Sequence, residues 1–235
     1  MIVIITPYRD RPTQKEIFIK HMKDFLAKKG QPFLLVVAEQ SDDGRPFNRG
    51  AMKNIGYLEA KAYIGNLFKE AIYVNQDIDV LPNSQECNYA IPDENTIYNP
   101  YGVQHCLAKI HIQSAKMMET TNGYPNNYWA WGLEDVCLQA RADSHGFKTD
   151  RTNFELIGTN NMWIEQEGEE NTRAWSKGDR DKVHRLYEYE TTNRHTCWEN
   201  GLNTIKYTLS QELYEENVLH IIAHIDKTGL DDLDL

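Results

Sequence analysis

Long apolar runs are missing from this chain. No stretch reaches the ~18 apolar residues that a membrane helix needs, and the opening residues lack the charged-then-apolar leader and small-residue cleavage site of an export signal. The expectation is therefore a chain without a membrane span, cytoplasmic or a soluble catalytic domain lacking signal and anchor. Paired cysteines are missing too. Cys87, Cys106, Cys137 and Cys197 stand far apart with no Cys-x-x-Cys, which argues against zinc-ribbon and thioredoxin-like sites, and the thiols are expected to be reduced. Positive charge is scarce: 25 Lys and Arg face 35 Asp and Glu, for a net charge of −10. With no basic cluster to offset it, this balance argues against a nucleic-acid backbone as the main partner. An anionic ligand would need local help from a metal and a few placed arginines.

Aromatic residues, by contrast, are plentiful, at 11% with 13 Tyr and 5 Trp. They suit loops that contact flat rings or sugars, although core packing explains any single one equally well. The 235 residues fit one domain, 1–235, with ample core.

Residues 1–6 form a β-branched run that suits a strand buried on both faces. Pro7-Tyr8-Arg9-Asp10-Arg11 follows, and its two arginines lie where open α/β sheets bind ligands, at the carboxyl end of a strand; solvated loop charges are the alternative. Thr13 to Glu16 has the capping-box pattern, opening a helix that runs to Lys29-Gly30. Residues 33–38 predict a second strand. Asn48 then caps a helix whose apolar stripe is Met52, Ile55, Leu58, Ala62 and Leu67, with Phe47 and Arg49 at its front edge. The third strand, 71–74, leads into Asp77-Ile78-Asp79. In an extended chain residues i and i+2 share a face, so the two carboxylates could converge on one hard cation, or on a cation and a sugar hydroxyl. A solvated turn is the bland alternative. Three strands alternating with two helices make a Rossmann-like half, residues 1–82.

Residues 83–235 form the second half. Short extended segments are expected at 96–98 and 107–112 and a short helix at 114–121. The aromatic run from Tyr124 to Trp131 leads into Gly132, Leu133, Glu134 and Asp135, which open a helix over 134–145. Acids in a first turn also simply favour the helix dipole. Residues 158–195 are long and polar and predict a lid. Strands at 204–209 and 218–225 end the fold. His220 and His224 share a strand face but stand about 13 Å apart, too far for one metal.

The blocks Pro7-Tyr8-Arg9-Asp10-Arg11, Phe47-Asn48-Arg49, Asp77-Ile78-Asp79-Val80-Leu81-Pro82, the long run from Asn122 to Asp135, and Asn200-Gly201-Leu202-Asn203 come in an order and spacing that resembles the β-1,4-galactosyltransferase family. The similarity spans nearly the whole chain, and the Asn122 to Asp135 block is its most specific part. The resemblance implies a GT-A fold, an α/β Rossmann-like mixed sheet with helices on both faces. It also implies a UDP-sugar donor, a glycan acceptor, manganese as cofactor and inverting transfer to a sugar hydroxyl.

Carried over by position, Pro7, Tyr8, Arg9, Arg11, Phe47 and Arg49 would hold uridine and phosphates, with Asp77, Ile78 and Trp131 also on the donor. Asp79 would ligate the metal. Tyr128, Trp131, Gly132, Glu134, Asp135 and Arg173 would meet the acceptor, with Asp135 as the base that inversion requires.

Departures bear on specificity. Where the family has Met-x-x-His completing the metal site, this chain has Met162-Trp163-Ile164-Glu165. Met162 and Glu165 are the expected ligands, with Glu167 or His184 as alternatives, and an oxygen donor widens the choice to magnesium. Leu133 stands for a family glycine, and Leu107-Ala108-Lys109 for Phe-Gly-Gly. Cys106 replaces the donor-selecting aromatic, which makes UDP-N-acetylgalactosamine as credible a donor as UDP-galactose. A retaining enzyme, or a glycan-binding module on the same fold, are the alternative functions.

Overall fold

A computed structural model describes residues 1–130, 132–166, 177–192 and 199–227. In chain order the elements are β1 (Ile2–Tyr8), α1 (Pro12–Lys29), β2 (Phe33–Gln40), α2 (Arg49–Ile64), β3 (Ile72–Gln76), β4 (Val80–Pro82), β5 (Thr96–Gly102), β6 (Ile110–Ser114) and α3 (Ala115–Thr120). They continue with α4 (Glu134–Ser144), β7 (Lys148–Asp150), β8 (Glu155–Leu156), β9 (Trp163–Glu165), α5 (Lys177–Thr192), β10 (Tyr207–Glu215) and β11 (Val218–Ile225). The main sheet runs β10-β11-β2-β1-β3-β6-β5-β7, with β8 also on β5, and β4 and β9 form a separate pair. β1 pairs in parallel with both β2 and β3, whereas β6 is antiparallel to β3, so the sheet is mixed. This is a mixed α/β sheet with helices on both faces, the architecture that the resemblance implied.

The side-chain alternation of β1 explains the layering. Val3 and Ile5 pack with Met52 and Ile55 of α2 and Leu138 of α4, while Ile2 and Ile4 pack with Phe18 and Met22 of α1 on the opposite face. Central strands covered on both faces are uniformly apolar, which is why 1–6 and 33–38 were legible as buried strands. Gly56 lets α2 lie close: a Cβ there would stand 2.6 Å from Ile5 Cγ2.

Several boundaries differ from expectation. β1 continues through Pro7 and Tyr8, with Pro7 in register with Ala38. The capping box at Thr13 does not form. α1 begins at Pro12, with Arg11 as N-cap and no side-chain cap bond, because proline's fixed φ suits the first helical position. Asn48 does cap α2, accepting from the Ala51 N–H at 2.9 Å. Its apolar stripe stops early: Ala62 and Leu67 are exposed, Tyr57 and Ala60 are buried in their place, and a 3-10 turn (Gly65–Lys69) ends the helix. The polar stretch after Gly158 contains β9 and α5, neither of which its composition suggested.

Candidate active site

The loops that carry the sequence motifs meet at the carboxyl ends of β1, β2 and β3. Asp77-Ile78-Asp79 is a turn rather than an extended segment, closed by Val80 N–H donating to the Asp77 carbonyl at 3.1 Å. This corrects the expectation of a shared face. A turn separates the two carboxylates, and each finds its own cations. Asp77 faces Arg49 at 3.9 Å and Lys53 at 4.0 Å, whereas Asp79 faces Arg11 at 3.4 Å and Lys109 at 3.2 Å.

Asp77 belongs to a buried charge cluster built by two helix starts. Arg49 and Lys53 are four apart on α2 and so share one face. Glu134 and Asp135 occupy the first turn of α4, where the helix dipole favours them. Arg49 pairs with Glu134, and Lys53 Nζ reaches Asp135 Oδ1 at 3.1 Å. Gly50 lets the loop before α4 lie close, since a Cβ there would stand 3.2 Å from the Pro125 carbonyl oxygen and from Tyr124 Cβ. Lys53 is a functional candidate that sequence reading missed. Its signal was the spacing from Arg49, hidden because lysine on a helix normally reads as a solvated face.

Burial raises the Asp135 carboxyl to about 6, against the pull of Lys53, with Glu134 adding to the rise. A carboxylate in that range can accept a proton near neutral pH. Burial also works against ionised Asp77, yet Lys53 and Arg49 hold it below the ordinary carboxylate value. Among the described residues, Asp77 Oδ1 and Arg49 Nε are buried with no hydrogen-bond partner. An unfilled acceptor and an unfilled donor in one cluster are what a polar ligand would satisfy.

Beyond Asp79, strand pairing brings in the next carboxylate. β4 and β9 are antiparallel with Val80 opposite Glu165, and Gln166 N–H donates to the Asp79 carbonyl at 2.7 Å. Lys109 Nζ bridges the two acids, 2.7 Å from Glu165. Two carboxylates held on one cationic point are hard oxygen donors of the kind manganese or magnesium takes. To that extent the residues fit the implied metal. No group of three or more His, Cys, Asp or Glu that could hold a metal occurs among the described residues. Met162 packs against the apolar cluster under α1, and its carbonyl accepts from Asn83 N–H at 2.8 Å. His184 is exposed on α5, and Glu167 lies outside the described residues, as do Trp131 and Arg173.

The remaining expected residues divide into those at the site and those that brace it. Tyr8 is buried with Lys15 Nζ 4.4 Å above its ring. Arg9 does not join Arg11: it is buried against the 41–45 loop, donating to the Arg45 carbonyl at 2.9 Å and lying 3.6 Å from Asp42. Phe47 accepts the Ala130 N–H at its carbonyl, and the Ile78 carbonyl accepts from Gln166 Nε2 at 2.8 Å. Tyr128, expected on the acceptor, is 2% exposed. Its hydroxyl donates to Glu190 at 3.3 Å, and it packs with Val183 and Leu186 of α5. It is bulky and apolar on both faces, so packing claims it. Gly132 has φ +112 and open space where a Cβ would point. Leu133 and Lys109 hold left-handed backbone, at φ 67 and 61.

The long asparagine-rich block is mainly scaffolding. Asn54 donates to the Tyr124 carbonyl and to Asn126, Asn126 N–H donates to Asn200, and Asn200 donates to Asn127, at distances of 2.7–3.0 Å. Arg141 ties Gly123 and Asn200 together and pairs with buried Glu190. This lattice fixes the loop that delivers Glu134 and Asp135. Cys106, buried, has its thiol raised to about 11 by that burial, with Asp135 adding to it.

Known proteins carry the same plan. The N-terminal region of glycosyl transferase group 7 matches residues 1–92, and the N-terminal domain of galactosyltransferase matches residues 95–164. Human β-1,4-galactosyltransferase 7 is 26% identical over 97% of this chain and 69% of its own length. The xylosylprotein 4-beta-galactosyltransferase of Caenorhabditis elegans is 26% identical over 96% of this chain and 79% of its own. The catalytic domain of Drosophila β-1,4-galactosyltransferase 7, in complex with xylobiose, superposes with a TM-score of 0.75 at 22% identity, covering 95% of this chain and 92% of that one. A variant of that enzyme, in complex with manganese, UDP-Gal and xylobiose, gives 0.74 at 19% identity, covering 97% and 94%. The chain belongs to the β-1,4-galactosyltransferase family of UDP-sugar-dependent glycosyltransferases.

Proposed function

We propose that the chain transfers galactose, or N-acetylgalactosamine, from a UDP-sugar to a sugar hydroxyl with inversion, and that Asp135 is the catalytic base. The observation that carries this reading is Asp135 itself: a buried carboxyl raised to about 6, in the first turn of α4, beside the unfilled valences of Asp77 and Arg49. In this reading the acceptor oxygen bonds to the anomeric carbon as the bond from that carbon to the diphosphate breaks, and the hydroxyl proton passes to Asp135. Lys53 holds Oδ1 and so leaves the second oxygen for the proton. Glu134 grips the acceptor, with Trp131, Gly132 and Arg173 beside it. Asp77 accepts from a donor-sugar hydroxyl and Arg49 donates to the donor. Pro7, Tyr8 and Phe47 line the uridine, Arg11 meets the diphosphate, and Arg9 braces the loop behind them.

Asp79 and Glu165 would hold the divalent cation, with Met162, Glu167 or His184 completing the set. A manganese ion bound there supplies positive charge to the leaving diphosphate. Cys106 offers more room than an aromatic ring, and this keeps the N-acetylated donor in play. The relatives' names put a β-xyloside first among acceptors to test.

Purified protein given manganese, UDP-galactose or UDP-N-acetylgalactosamine and a β-xyloside is expected to release UDP and form a β-linked disaccharide. Absence of both UDP binding by calorimetry and turnover across common donors and acceptors would sink the proposal.

A further inference from the structure

We propose that Lys109 is a built-in cation that competes with the divalent metal for the place between Asp79 and Glu165. Metal then enters tightly only when a diphosphate is present to take the displaced ammonium. The inference rests on the donor site proposed above and concerns how that site is loaded.

Three observations support it. Lys109 Nζ lies 3.2 and 3.4 Å from the two Asp79 oxygens and 2.7 Å from Glu165, so one ammonium bridges both carboxylates. Its backbone is left-handed, φ 61, a conformation that L side chains rarely adopt and glycine adopts freely. The residue therefore accepts backbone strain while its ammonium lies on the two acids, and the Asp77 N–H bond to its carbonyl, at 3.0 Å, anchors it to the turn. The third observation is charge balance. Among the described residues Arg11, 3.4 Å from Asp79, is the other cation on this pair, so with Lys109 in place two cations face two carboxylates. A second cation arriving alone gains little there and must first expel the ammonium. A diphosphate changes this, because its two negative charges accept both the metal and the displaced Lys109.

The test uses Lys109→Met and Lys109→Gly in the full chain, with manganese and UDP as probes. Glycine is at ease at φ 61, so it separates loss of the ammonium from loss of fold, which circular dichroism checks. In calorimetry without nucleotide, both variants are expected to bind manganese at least tenfold tighter than the wild type. Their melting temperatures should fall in chelator and recover with manganese more than the wild type's do. UDP should tighten manganese binding by a larger factor in the wild type than in either variant. Folded variants that bind manganese no tighter than the wild type would overturn the competition while leaving transfer activity, measured separately, free to stand. Confirmed competition without any donor turnover would instead count against the transferase reading alone.

Discussion

Asp135 is where chemistry and environment are most tightly joined. A single group raised to about 6 must lose its proton before it can act as a base, so kcat/KM for the acceptor should climb with pH through about 6 and level off above it. Initial rates with saturating donor from pH 5 to 8 check the sign, and a rate that falls over this range would contradict it. Asp135→Asn keeps the shape but removes the basicity. It should lower kcat by about 10³-fold or more while UDP affinity, read by calorimetry, changes little. Lys53 acts on the same carboxylate from below. Lys53→Met strips a buried ion-pair partner from Asp135 and Asp77 and should cost about 3–5 kcal/mol in urea unfolding at pH 8. Of these three residues, only the two aspartates were legible in the sequence. Lysine reads as surface until a neighbouring helix start covers it.

Among the elements, α2 sets the position of the charge cluster through its fit on the sheet. Gly56→Ala drives a methyl group into Ile5, a stiff β-branched side chain 2.6 Å away, and should destabilise by about 1–3 kcal/mol while shifting Arg49 and Lys53. Chemical denaturation and kcat/KM together would show both effects. The asparagine lattice does the same for α4. Asn126→Ala removes the side-chain acceptor of one buried Asn54 N–H and the side-chain donor that anchors the loop to Gly201, whose carbonyl keeps the Ile205 N–H. It should cost about 1–3 kcal/mol, with loss of activity although Asn126 touches no reacting atom in this account. Elements with a strong period, such as β1, β2 and the start of α2, were legible because burial on one or both faces writes itself into composition. β9 and α5 were not. Their partners are distant in sequence: Glu165 lies opposite Val80, and Val183 and Leu186 pack on Tyr128, so no local pattern announces them. The turn at Asp77 was misjudged for a related reason, since an Asp-x-Asp has the same letters whether extended or folded back.

On the scale of the whole molecule, the mixed sheet gathers loops from both halves of the chain onto one edge. Residues 1–82 bring Arg11, Arg49, Lys53, Asp77 and Asp79, and the later half brings Lys109, Glu134, Asp135 and Glu165. That convergence explains why separated sequence blocks read as one site, and why the fold was more legible than the division of labour inside it. Order along the chain is visible in sequence, whereas which arginine turns inward, as Arg9 does, depends on loop contacts. The central claim, inverting transfer with Asp135 as base, meets its most direct test in the product. Wild type and Asp135→Asn are incubated with UDP-α-galactose and a β-xyloside, and the new glycosidic bond is read by proton NMR. The account predicts a β-linked galactoside from the wild type and none above background from the variant; an α-linked product, or undiminished transfer by the variant, would contradict it.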